Sequence, residues 1–341
     1  GESIIDEPTE EQLKYISHKL KDFDGKYVGA KRFIEMEREA YREAGQHDKV
    51  SLHKRLYPTS YAETFAPPAQ NIFFNTDILE RRIIELKRDN AATVRGNFEG
   101  DPNVFVRFVP NQDGRFVVSK LLPSNLTNRK YSLNGVFYPM DSYSYVSSSD
   151  AYRLEKVQGY GMSNGAGAVK EKYNSQIDDP NKSTDEWQTG RFVCTYLFRP
   201  DSIEEYCMDM LRMTVYYNAL HFPESNVNHV AEYFIKNNFG GYLLYSTNPE
   251  DGRPKANAGF HTTIDLKKRM FNKHRDYISM FGSKEKHIEY LMQCLQIRGL
   301  DDTTHFDLFV ATGGCLLAED SVYGEYLNQP DDIDIKDILG W

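Results

Sequence analysis

Three acidic residues stand where a carboxylate does little for a fold. Glu224 closes the apolar run Ala219, Leu220, His221, Phe222, Pro223; Asp141 closes the apolar stretch that begins at Leu133; and Asp307 opens the apolar run HFDLFVATGGCLLAED. Desolvating a carboxylate at the tip of a buried strand costs several kcal/mol unless a cation meets it. Carboxylates gathered in this way suit hard divalent cations, Mg²⁺ or Mn²⁺, which take oxygen ligands. Two such ions about 3.5–4 Å apart activate an attacking water and stabilise the leaving 3′ oxygen of a phosphodiester. Each acid also has an ordinary reading: Asp141 as a strand-end turn residue, Asp307 as an acid favouring a helix N-terminus.

Other titratable residues compete for the same roles. Asp301 and Asp302 precede the helix that Asp307 opens, and Asp302 stands with the three as a candidate metal ligand. Asp150 and Glu155 fall in what reads as a polar loop after Asp141, within reach of the acids but solvated. His221 points away from Glu224 if its strand alternates, as a satisfied core or interface histidine does. His229 and His305 lie near the acids without metal-ligand spacing to another histidine. No Ser/His/Asp triad or nucleophilic cysteine pattern is present.

Between Gly252 and Arg275 the chain carries Arg253, Lys255, Lys267, Lys268, Arg269, Lys273 and Arg275 against one acid, Asp265. Gly252, Pro254 and Gly259 make the first part a mobile loop or hairpin, and a basic helix follows. A solvated helix face has this composition, and so does a grip on a DNA backbone beside a metal site. No G-x-x-x-x-G-K-[ST] phosphate loop occurs in the sequence.

The elements that must position these residues follow from periodicity. Helices are expected over 9–23, 30–45 and 75–90, the last with Ile78, Leu79, Ile83 and Leu86 on one stripe. Residues 52–68 read as an ordered connector. Val104 to Lys120 alternates as two strands joined by a turn ending in Asp113-Gly114, a β-hairpin. A boundary at 125/126 divides an N-terminal α+β linker region, 1–125, from a main domain, 126–341. There, strands are expected at 133–141, 164–173 and 192–198, then a helix at 202–218, a strand ending at Glu224, a helix at 228–238 and a short strand at 241–246. Helices at 263–280 and 283–296 and a last one from near His305 complete the chain. Three strands followed by alternating helices and strands is the order of an RNase H-like α/β layer, a mixed central sheet flanked by helices.

Composition sets the outer limits. With 341 residues, 40% of them hydrophobic, a substantial core can form. No apolar run approaches the roughly 18–20 residues of a membrane span, and no signal-peptide pattern opens the chain, so a soluble protein is expected. The four cysteines, Cys194, Cys207, Cys294 and Cys315, form no C-x-x-C pair, as in a reducing cytosol. The net charge of -9 argues mildly against nucleic acid as a partner, but the basic segment is a local exception. The chain opens on Gly1 rather than Met, as a piece excised from a longer polypeptide would.

Three stretches carry a family resemblance: FYPMDSYSY around Asp141, TYLFRPDSIEEYCMDMLRMTVYYNALHFPESN with Glu224, and HFDLFVATGGCLLAED with Asp307. The chain resembles the nuclease portion of bacteriophage terminase large subunits, and HKRLYPTSYAETFAP is similar to the segment by which that family leaves its ATPase domain. The resemblance implies an RNase H-like endonuclease that cuts concatemeric phage DNA with two metal ions held by Asp141, Glu224 and Asp307. It further implies double-stranded DNA, an upstream ATPase domain, the portal and the small terminase subunit as partners, in the cytoplasm of an infected bacterium. Relatives often carry Asp-Pro or further acids after the first Asp; here Ser142, Tyr143, Ser144 and Tyr145 follow. Lacking a phosphate loop, the chain would cut DNA without translocating it. The alternatives are another RNase H-like nuclease of resolvase or transposase type, and a non-catalytic DNA-binding scaffold domain of a viral assembly.

Overall fold

The computed structural model describes residues 9–13, 20–21, 24–44, 49–50, 53–54, 57–59, 73–88, 92–140, 142, 144–152, 164–226, 228–247 and 253–326. Much of the expected first helix and of the expected connector lies outside these residues. Where one helix is expected over 9–23, the described residues form a helical turn at Glu10–Leu13 and then a short strand, Leu20–Lys21, paired antiparallel with Tyr27–Val28. Two amphipathic helices follow, α1 (Ala30–Glu43) and α2 (Thr76–Arg88). The stripe expected on α2 is the buried one, with Leu79, Ile83 and Leu86 inside. Asp77 in its first turn ties it to α1, 3.1 Å from the Arg42 guanidinium and 3.3 Å from Lys54.

Three strands follow, β1 (Val94–Asp101), β2 (Phe105–Pro110) and β3 (Phe116–Val118). The two strands expected as a hairpin both form, but they do not pair with each other. β1 lies between them and pairs antiparallel with each. Gly96 permits that close approach, since a Cβ there would stand 2.4 Å from the Val109 carbonyl oxygen.

The stretch expected as a first central strand, 133–141, divides instead. Asn134 (φ 52°) and Gly135 (φ 81°) form a two-residue turn between β4 (Lys130–Leu133) and β5 (Val136–Pro139). Successive positive φ values are the signature of the tightest hairpin turns. This hairpin is a separate two-stranded sheet.

The strand that enters the main sheet is β6 (Tyr145–Asp150), followed by β7 (Gly165–Glu171) and β8 (Phe192–Phe198). α3 (Ile203–Tyr217) then crosses the sheet. It is capped by the Ser202 side chain, which accepts from Glu205 N, and closed by Asn218 in the left-handed region. It leads into β9 (Leu220–Pro223). The seven strands lie in the order β9-β6-β7-β8-β3-β1-β2. β9 runs parallel to β6, and every other neighbouring pair is antiparallel. Because β3 pairs with β8, the sheet runs unbroken across the boundary expected at 125/126.

The chain continues through α4 (His229–Lys236), a small hairpin of β10 (Tyr245–Thr247) and β11 (Pro254–Ala258), and the helices α5 (Ile264–Phe281), α6 (Ile288–Gln296) and α7 (Asp307–Tyr326). Two apolar cores sandwich the sheet. One holds Phe98, Phe116, Tyr196 and Met210 with α3, and the other holds Phe192, Met270, Tyr290 and Phe309 with α2, α5, α6 and α7. The molecule is a mixed α/β layer flanked by helices. Among the described residues no helix is long and apolar enough to cross a membrane.

Candidate active site

β6 and β9 are parallel neighbours, so their C-terminal ends finish side by side. Pro223 stands opposite Ser149, and Glu224 N donates to the Ser149 carbonyl at 2.8 Å. Asp150 therefore ends one strand where Glu224 follows the other, and their carboxyl groups meet in a hydrogen bond. Asp307, the first residue of α7, reaches the same end of the sheet. Its Oδ2 accepts from Asn164 N, just before β7, at 3.0 Å.

The electrostatics of this cluster are those of crowded like charges. The Asp150 carboxyl is held well above the usual carboxylate range, first by burial, then by the negative charge and hydrogen bond of Glu224, then by the charge of Asp307. Asp150 is fixed from behind, because the Tyr206 hydroxyl lies 2.9 Å from its carbonyl oxygen and 2.7 Å from that of Ala166. Glu224 Oε1 accepts from Asn226 Nδ2 at 2.7 Å and from the Thr262 hydroxyl. Thr262 is placed by strand pairing: Phe260 N donates to the Pro223 carbonyl at 3.0 Å and Ser225 N to the Phe260 carbonyl at 2.8 Å. Gly259 makes that approach possible, with φ +86° and a Cβ position only 1.9 Å from the Pro223 carbonyl oxygen.

Of the acids expected from sequence, Glu224 and Asp307 are brought together. Asp141 lies outside the described residues, and the strand expected to deliver it is an arm of the separate β4–β5 hairpin. The acid at the end of the central strand is Asp150, expected to be solvated. Asp302 is occupied elsewhere, its Oδ2 accepting from Arg298 N at 2.6 Å and Gly299 N at 3.0 Å as the cap of a short helical turn. The Asp301 side chain and Glu155 lie outside the described residues. His221 is a core residue, with Nδ1 2.9 Å from Ser147 Oγ and Nε2 2.8 Å from Ser149 Oγ. His229 is half-buried at the start of α4 and His305 is exposed.

Among the described residues no group of three His, Cys, Asp or Glu side chains is preformed to hold a metal ion. Asp150 and Glu224 instead face each other through a hydrogen bond. The donor set is nonetheless one that a hard cation fits, since a divalent ion would offset the mutual repulsion of these carboxylates.

The basic segment frames this site on one side. Arg253 and Lys255 are exposed at the β11 end of its hairpin, and Gly252 lies outside the described residues. The chain then passes Glu224 at Phe260 and Thr262 and enters α5, capped by Thr263. On α5, Lys268, Arg269 and Arg275 are exposed, while Lys267 and Lys273 are half-buried. Lys267 Nζ donates to the Leu300 carbonyl at 3.4 Å, Lys268 lies 3.5 Å from Asp265, and Arg275 lies 3.8 Å from Asp276.

No family model matches the chain, and no curated protein matches it.

Proposed function

We propose that this chain is a metal-dependent DNA endonuclease built on an RNase H-like layer, the nuclease portion of a phage terminase large subunit that its motifs resemble. The observation that supports the reading is the meeting of Asp150, Glu224 and Asp307 at one end of the sheet, from two parallel strand ends and a helix start. The order β9-β6-β7-β8, an antiparallel trio with β9 parallel to β6, supports the same reading.

In this reading Asp150, Glu224 and Asp307 hold Mg²⁺ or Mn²⁺, which when bound supplies water activation and stabilisation of the leaving oxygen of the phosphodiester. The protein's own part is placement. Asn226 and Thr262 fix one oxygen of Glu224, and Asn164 N fixes one oxygen of Asp307. Arg253 and Lys255 on the hairpin and Lys268, Arg269 and Arg275 on α5 hold the DNA backbone, contacts that set register without reading sequence. An upstream ATPase domain, the portal and the small terminase subunit are the partners this reading carries with it.

Plasmid incubated with the purified chain tests the proposal. Nicking should appear with Mn²⁺ or Mg²⁺ and vanish with a chelator. Asp150→Asn, Glu224→Gln and Asp307→Asn should each lower it on the order of 10²-fold or more, the scale of losing one preorganised electrostatic group. Asp141→Ala separates the two assignments of the first acid, and retained cutting is the expected result. DNA binding with no metal-dependent cleavage under any of these conditions would fit a scaffold domain instead.

A further inference from the structure

At the other end of the strands from the acids lies an open cleft lined by Lys120, Arg191, Lys284 and Lys286 and by Glu171 and Glu285. β7 connects the two places, starting at Gly165 beside the acids and ending at Glu171 in the cleft. At about 3.3 Å per residue the separation is roughly 20 Å.

Both carboxylates of the cleft are committed within the protein. Glu171 Oε1 takes Lys120 Nζ at 2.6 Å and the Tyr145 hydroxyl at 3.1 Å. Glu285 Oε1 accepts from Lys286 N at 2.7 Å and His287 N at 2.9 Å, and its Oε2 accepts from the Tyr277 hydroxyl. The next acid, Asp178, is spent on Gln188 N at 2.7 Å, Thr189 N at 2.9 Å and the Thr189 hydroxyl. His287, buried behind the cleft, is held toward its neutral form by burial. Arg191 donates one N–H to the Trp187 carbonyl at 2.8 Å. Among the described residues no carboxylate oxygen lies within 4.0 Å of the charged nitrogens of Arg191, Lys284 or Lys286. Lys286 is pushed below the usual lysine range by burial and then by the nearby Arg191 charge.

The cations of the cleft repel one another, and Glu171 and Glu285, both already bonded within the protein, do not fully offset this. A multiply charged oxyanion would, and an arginine flanked by lysines is the usual recognition set for phosphate. We propose that this cleft binds a phosphate group, either free phosphate or a phosphodiester of a nucleic acid backbone. The site is separate from the acids and does not depend on the nuclease reading.

The test compares the wild-type chain with Lys284→Gln, Lys286→Gln and, as a control, Lys236→Gln, an exposed lysine on α4. One arm titrates inorganic phosphate at constant ionic strength by calorimetry. The other measures affinity for a short DNA duplex over a range of salt concentrations, with chelator present. In the arm that reports the natural source, both cleft variants should weaken binding by about tenfold while the control does not. A backbone source should also reduce the salt slope by about 0.9 for each phosphate that the variant leaves unneutralised. Lys284 is exposed, so its variant folds even if burial at Lys286 makes that variant fragile. The proposal is overturned if neither probe loses affinity in Lys284→Gln, or if Lys236→Gln loses as much.

Discussion

His221 shows how single side chains hold the site's central strands. Its ring is fully buried, its Nδ1 lies 2.9 Å from Ser147 Oγ and 3.2 Å from Thr214 Oγ1, and its Nε2 lies 2.8 Å from Ser149 Oγ. Burial lowers its pKa from 6.5 to about 3, and does the same to His274. At these two groups the unfolded chain therefore binds more protons than the folded one between these values, so their contribution to stability rises with pH up to 6.5 and is flat above it. His221→Gln should reduce that slope by up to about 1.4 kcal/mol per pH unit, read from denaturant midpoints at several acidic pH values. An unchanged slope would mean that His221 is already protonated in the fold. The same serines explain why Asp150 is not legible in the sequence. YVSSSD reads as a polar loop, yet Ser147, Ser148 and Ser149 are fully buried with their hydroxyls satisfied by His221, Thr214 and the Phe222 carbonyl. A short hydroxyl that finds a partner is compatible with a core strand, and composition does not show whether the partner exists. Glu224 is legible because its flanks, Phe222 and Pro223, are apolar.

At the scale of elements, two glycines set how closely the parts of the site approach. On α7, a Cβ at Gly314 would stand 2.0 Å from Ser148 Oγ, so the helix lies directly on β6 only because that residue has no side chain. Gly314→Ala should destabilise the protein by about 1–3 kcal/mol, the usual cost of overpacking a core, measurable by chemical denaturation. Gly259 has φ +86° and abuts Pro223, where any side chain forces the backbone aside. Gly259→Ala should lower cleavage more steeply than it lowers the melting temperature, because the displaced residues are Phe260 and Thr262 beside Glu224. Equal loss of both would show that the pairing serves stability alone. Some helices are legible nearly to the residue, with 263–280 expected and Ile264–Phe281 found, since their 3.6-residue period is local, whereas the helix expected at 283–296 starts only at Ile288. Strand pairing is not local. The insertion of β1 between β2 and β3 depends on Gly96 meeting Val109, and an Asn-Gly turn divides the stretch that reads as one strand.

At the scale of the whole molecule, one sheet joins residues 94–118 to the strands that end in the acids. The acids close one end, and the basic hairpin and α5 flank it. On the proposed reading, the net charge of -9 makes distant parts of the chain repel DNA, and the local basic segment is a proposed contact. Lys268→Gln and Arg269→Gln should each reduce the slope of log affinity against log salt by about 0.9 for each phosphate left unneutralised. Unchanged slopes in both would place the DNA elsewhere on the surface. The central claim is that Asp150, with Glu224 and Asp307, forms the catalytic cluster. The most direct measurement is the rate of Mn²⁺-dependent plasmid nicking by the wild type, Asp150→Asn and Asp141→Asn, each checked for native folding. The account predicts that Asp150→Asn loses nearly all activity while Asp141→Asn keeps it. Wild-type nicking rates in Asp150→Asn would contradict it.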